Sequence, residues 1–151
     1  MSSKSGKLSR SEMMSRIRSF DTKPEIKVRK AIYHLGYRYI LKDKVKGTKP
    51  DIVLRKQGVA IFVHGCFWHR HSGCKYASMP KTRREYWWPK LSKNVERDRK
   101  VNFKLQLEGW RIAVIWECAT RDKELFEKTM NSLNEWIQSS SDYYESQSIS
   151  S

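Results

Sequence analysis

Four stretches of the chain repeat apolar residues at the three-to-four spacing of a helix, and four shorter ones run apolar in the manner of strands. Ser9 with Glu12 three residues on reads as a capping box opening a short helix. Met13, Ile17 and Phe20 form its apolar side, and Arg10, Arg16 and Arg18 face elsewhere. A second box, Thr22-Lys23-Pro24-Glu25, opens a helix that should run to about Leu35, where Gly36 stops it. Tyr37 to Leu41 is a strand candidate. Asp51 to Leu54 and Val59 to His64 are two more, joined across Lys56-Gln57-Gly58. Gly65 to Lys93 has no clean period. Asn94 then caps a helix to about Glu108, Arg111 to Trp116 reads as a buried strand, and Leu125 to Gln138 as a helix. In that last helix Phe126, Met130, Leu133 and Ile137 form a core stripe. The order predicts an α/β domain with a small mixed sheet flanked by helices.

The ends lack this patterning. Residues 1–8 read as a mobile basic arm, 9–138 as a single domain, and 139–151, rich in serine, as a disordered tail. The 151 residues suffice for one domain with a real core. Thirty-one Lys and Arg against sixteen Asp and Glu leave a net charge of +15, which points to a polyanionic partner, nucleic acid first and an anionic membrane surface second. No apolar run approaches a membrane span and no hydrophobic leader opens the chain, so a cytoplasmic protein is expected.

Three cysteines in such a chain favour metal binding over disulfides. Cys66, His71 and Cys74 lie in the irregular insert, spaced so that a short loop can aim all three at one point. Cys118, just past the Arg111–Trp116 strand, can supply a fourth ligand. Three thiolates and an imidazole make the closed tetrahedral set of a structural zinc site. The competing reading makes the cysteines buried apolar residues and the histidines surface groups.

Several acids and histidines sit where chemistry is suited. With an even turn after Leu54, Asp51 falls opposite Phe62 and diagonal to His64 on one sheet face; an odd turn separates them. Asp98 shares a helical stripe with Val95, Val101 and Leu105, so it points coreward and needs a partner, a histidine or a metal-bound water in a site, or else a nearby arginine. Glu25 shares a stripe with Val28 and Ile32, although the capping box already explains it. Gathered near one sheet end, Asp51, His64, His69, Asp98 and Glu25 would suit Mg²⁺ and phosphodiester hydrolysis, with His69 taking a proton from water. The alternative for Asp51 is an ordinary strand-end carboxylate.

Phe67-Trp68 adjoin the proposed zinc ligands, and Tyr86-Trp87-Trp88 follow the basic run Lys81-Thr82-Arg83-Arg84. Such rings suit wedging into a duplex or stacking on bases. They equally suit a small core around the zinc, and Trp88, just before Pro89, is expected to pack.

The segments Lys49-Pro50-Asp51, Phe62-Val63-His64-Gly65-Cys66-Phe67-Trp68-His69, Asn94-Val95-Glu96-Arg97-Asp98-Arg99 and Trp116-Glu117-Cys118, with Met13–Arg18 and Thr22–Glu25, resemble the very-short-patch repair DNA endonucleases. The resemblance covers roughly residues 8–138. It implies a restriction-endonuclease-like fold and a nick in one strand of duplex DNA, 5′ to the thymine of a T:G mismatch left by deamination of 5-methylcytosine. Asp51 and the backbone carbonyl of Val63 would hold Mg²⁺. His64 and Asp98 would act through metal-bound waters, His69 as general base, and Glu25 in support. Cys66, His71, Cys74 and Cys118 would bind zinc. Phe67, Trp68 and Trp87 would intercalate from the major groove, and Met14 would press from the minor groove. Arg16, Arg18, Arg83 and Arg84 would meet the DNA backbone. Residue 63 is Val where some members carry Thr, and the spacing from His71 to Cys74 is one residue longer than in some. The lysine usual in the wider nuclease fold is missing, with His64 in its place, so the chemistry must lean on imidazole. A monomer is expected, because the lesion has no two-fold symmetry, with repair proteins acting downstream. Two readings compete: a sequence-specific endonuclease of the same fold, and a non-catalytic zinc-stabilised DNA-binding module.

Overall fold

A computed structural model describes residues 22–41 and 43–148. The expected basic arm and first helix, with Met14, Arg16 and Arg18, lie outside the described residues. The core is a five-stranded mixed sheet in the order β1 (Ile40–Leu41), β2 (Ile52–Leu54), β3 (Val59–His64), β4 (Arg111–Trp116) and β5 (Tyr143–Glu145). The pairs β1–β2 and β2–β3 are antiparallel, whereas β3–β4 and β4–β5 are parallel. Parallel neighbours need crossover connections, and helices supply them. Helix α2 (Arg84–Leu107) links β3 to β4, and α3 (Lys123–Ile137) links β4 to β5. Helix α1 (Lys23–His34) precedes the sheet, its first turn capped by Thr22, which accepts from the Glu25 amide, and its end marked by Gly36 at φ +103°.

Both central strands are buried along almost their whole length, as strands covered on both faces must be. One face packs Ile52, Leu54, Ile61 and Ile115 against Val28 and Ile32 of α1 and Met130, Leu133 and Ile137 of α3. Burial of each large side chain contributes roughly 1.5–3 kcal/mol. The other face packs Val53, Phe62, Val114 and Trp116 with Leu105 of α2 and the three cysteines.

Two expectations are corrected. The tail is not disordered throughout: Tyr143–Glu145 pairs in parallel with Ile112–Val114. Its serines hide the strand, but Tyr144 packs on the core and Ser146 is buried. The second correction concerns α2, which begins at Arg84, ten residues before Asn94. Pro89 obscures this start because it cannot donate to the Glu85 carbonyl. Trp87 and Leu91 compensate by packing with Phe67 in a separate small core.

Candidate active site

The parallel pairing of β3 and β4 sets His64 directly beside Trp116 at the end of both strands. The antiparallel register of β2 and β3 pairs Ile52 with Ile61, which continues to place Asp51 opposite Phe62 and Pro50 opposite Val63. Proline has no N–H to give the Val63 carbonyl. The Val63 N–H instead donates to Asp51 Oδ2 at 2.8 Å. In a strand the N–H and C=O of one residue point to the same side. The Lys49-Pro50-Asp51 motif thus leaves a carboxylate and a ladder-free carbonyl together at the sheet end, an oxygen donor set of the kind that suits a hard divalent cation.

His64 is buried, and its ring stacks on His69 with centroids 3.8 Å apart and planes 5° apart. Burial, then the charges of His69 and His71, hold the His64 imidazole well below 6.5, so it is neutral at physiological pH. His69 comes from the loop after β3, whose first turn is closed by the His69 amide on the Gly65 carbonyl. Its Nδ1 lies 2.6 Å from Asp98 Oδ2. Asp98 has therefore found a histidine rather than an arginine, on the α2 stripe that also carries Trp87, Leu91 and Leu105. His64, His69 and Asp98 bring one ligand atom each within 4.8 Å of one another. They line an open cleft with Asn102, Trp116 and Tyr143. Glu25 is buried in the first turn of α1 and is not part of this group.

Next to the cleft, Cys66, His71, Cys74 and Cys118 are all buried, with ligand atoms mutually within 4.8 Å. His71 Nδ1 lies 3.7 Å from Cys66 Sγ and 3.5 Å from Cys118 Sγ. Sulfur and nitrogen ligands at the corners of a zinc-sized tetrahedron stand roughly 3.5 Å apart. The neighbouring Cys118 thiol and burial push the Cys66 thiol far above its ordinary range, a cost that a cation among the three sulfurs removes. The four side chains can hold a metal ion.

The aromatic insert is organised differently from expectation. Phe67, Trp68 and Trp87 pack edge to face at 5.2–5.6 Å. Phe67 and Trp87 are 3% and 1% exposed, whereas Trp88, expected to pack, is 64% exposed. The early start of α2 explains the reversal, since its phase turns residue 87 to the stripe of Leu91 and residue 88 away. Trp87 reaches DNA only if this cluster opens; Trp68 is half-buried at its face. Arg83 and Arg84 are exposed at the start of α2. Asn94, read from sequence as a cap, lies inside the helix and donates to the Trp68 carbonyl at 3.0 Å. Sequence reasoning also missed Trp116 and Tyr143 as residues lining the cleft, and the adjacency of Trp116 to Cys118 was the one available sign.

The family model of the DNA mismatch endonuclease Vsr matches residues 3–75. DNA mismatch endonuclease Vsr of Escherichia coli is 39% identical over 133 residues, 87% of this chain and 85% of that protein. Type II nicking enzymes V.XorIIP of Xanthomonas oryzae and V.NmeAIP of Neisseria meningitidis are 40% and 42% identical, over 80% and 82% of this chain and 88% of each relative. Among solved structures, the catalytic domain of homing endonuclease I-Bth0305I shares the fold at a TM-score of 0.51 and 20% identity, over 79% of this chain and all of that domain. Fold, charge and relatives define a DNA endonuclease. Within that class, the chain belongs to the very-short-patch repair family of DNA mismatch endonuclease Vsr.

Proposed function

We propose that this protein nicks one strand of duplex DNA 5′ to the thymine of a T:G mismatch, starting repair of deaminated 5-methylcytosine in the cytoplasm as a monomer that hands its product to downstream repair proteins. The observation that carries this reading is the convergence of His64, His69 and Asp98 in one cleft; Asp51 lies outside that group and is held on the amide of Val63, the residue before His64. Asp51 and the Val63 carbonyl would hold Mg²⁺. When bound, Mg²⁺ supplies Lewis-acid polarisation of a phosphate oxygen. Asp98 accepts the Nδ1 proton of His69, which leaves Nε2 as the base for the attacking water. Neutral His64 stacks beneath His69 and donates or accepts without adding charge. Glu25, outside that group, would support from the first turn of α1. Cys66, His71, Cys74 and Cys118 would hold zinc, and the four would then tie the loop after β3 to the residues just past β4 and so fix where His69 stands.

The cluster of Phe67, Trp68 and Trp87 would wedge into the stack at the mismatch, where a wobble pair opens more cheaply than a matched one. Arg83 and Arg84, with Arg16 and Arg18, would hold the phosphates, and Met14 would press from the other groove. The relatives named type II nicking enzymes favour a second reading, sequence-specific nicking without mismatch preference. Nicking assays on matched sets of T:G and C:G duplexes, with and without Mg²⁺, separate the two. The proposal expects a Mg²⁺-dependent nick in T:G duplexes alone. Asp51→Asn should keep duplex binding and lose nicking; cutting near the wild-type rate would remove Asp51 from the site.

A further inference from the structure

In the C-terminal segment, Tyr143 of β5 lines the cleft beside Val114 and Trp116 of β4. Alternation along β5 turns Tyr143 and Glu145 to the face that carries Val114 and Trp116, while Tyr144 faces the opposite core. Three contacts tie this segment to Trp116 and to each other. Ser146 Oγ accepts from the Trp116 amide at 2.8 Å, Glu145 Oε2 accepts from the Trp116 indole N–H at 2.7 Å, and Tyr143 donates to Glu145 Oε1 at 2.9 Å. The Trp116 ring stands between two histidines with different tasks. It stacks on His71 of the cysteine-rich site at 4.1 Å and 5°, and meets His64 edge to face at 5.2 Å. Rotation of the indole would disturb both contacts, and its N–H can make this bond only in the observed orientation.

We infer that Glu145 is a positioning residue for the nicking reaction: by fixing the Trp116 indole it sets the His64 ring, and through it the stacked His69, in the cleft. This rests on the proposed nicking activity. It assigns a mechanistic task to a segment that lies after the last core helix and looks expendable by composition. A buried ring held only by packing can settle in more than one orientation, whereas a charge-assisted hydrogen bond selects one. The carboxylate also holds the Tyr143 phenol at the rim, where partial burial and Glu145 keep its proton above the ordinary range and available as a donor.

The test compares wild-type protein with Glu145→Ala, Glu145→Gln and Trp116→Phe, each as full-length metal-loaded protein. It reads kcat and KM for nicking T:G duplex, metal content, melting temperature and the NMR shift of the His64 ring proton. Glu145→Ala should lower kcat about 10- to 100-fold, the range for orienting partners one layer out, with KM and metal content unchanged. The His64 resonance should shift as the Trp116 ring current moves. Glu145→Gln should restore both, because its amide oxygen still accepts from the indole. Trp116→Phe, which keeps a ring but loses the N–H, should behave as Glu145→Ala does. Wild-type kcat and an unshifted His64 signal in folded Glu145→Ala would overturn the inference, as would loss of metal or of melting temperature without a kcat effect on the remaining folded protein. If wild-type protein does not nick T:G duplex, the functional reading fails, and the His64 shift still decides whether Glu145 positions that ring.

Discussion

His69 is held from two sides, by the Asp98 carboxylate on its edge and by the His64 ring on its face. In the proposed mechanism this orients the base: Asp98 engages Nδ1, and Nε2 would take the proton from water. His69→Ala should reduce the chemical step on the order of 10²–10⁴-fold with little change in duplex binding. Asp98→Asn should reduce it by a smaller factor, since the amide can orient the ring without stabilising its protonated form. Single-turnover nicking under enzyme excess checks both. Normal rates for His69→Ala would pass the role to His64, although its buried, neutral ring is the less accessible of the two. From sequence, the coreward phase of Asp98 was readable but its partner was not. Helical spacing fixes direction along one element and says nothing of which loop comes to meet it.

The strands β3 and β4 are readable because each is an unbroken apolar run covered on both faces, and the capped, glycine-terminated α1 is readable from its ends. The first ten residues of α2 and the strand β5 are hidden for physical reasons. The N-terminal half of α2 buries Trp87 and Leu91 against a loop rather than the sheet, and Pro89 breaks its pattern. As an edge strand, β5 needs only one core-facing ring, Tyr144. Cys66, His71 and Cys74 of the loop between β3 and α2 meet Cys118 just past β4, so a metal ion held by the four would help to order the loop. A structural metal site belongs to folding free energy. Chelation should therefore lower the melting temperature and expose the aromatic cluster, rather than leave a folded, inactive enzyme. Metal analysis should find one zinc per chain. Folded, active protein without it would reject the site. Cys118→Ala should reproduce the effect of chelation, because it removes the ligand that ties the loop to β4.

The whole molecule carries a charge of +15, and its exposed arginines at the start of α2 flank a cluster of rings. Under the proposed function, that arrangement would supply two kinds of binding energy. Phosphate contacts release counterions and are blind to sequence, so their contribution falls steeply with salt. Insertion of rings costs unstacking, and that cost is lower at a T:G wobble, so it discriminates between duplexes. The two contributions should come apart on mutation. Arg83→Ala with Arg84→Ala should weaken T:G and C:G duplexes alike and flatten the dependence of affinity on salt. Trp68→Ala should lower the ratio of T:G to C:G affinity while leaving the salt dependence as it was. If Trp68 only completes the packing of Phe67 and Trp87, its removal would lower the melting temperature and leave the ratio unchanged. Titrations of both duplexes at two salt concentrations, with a melting curve for each variant, distinguish these outcomes. An unchanged ratio in well-folded Trp68→Ala would move mismatch recognition off this ring. Trp88, the most exposed of the nearby rings, would then be the next to change.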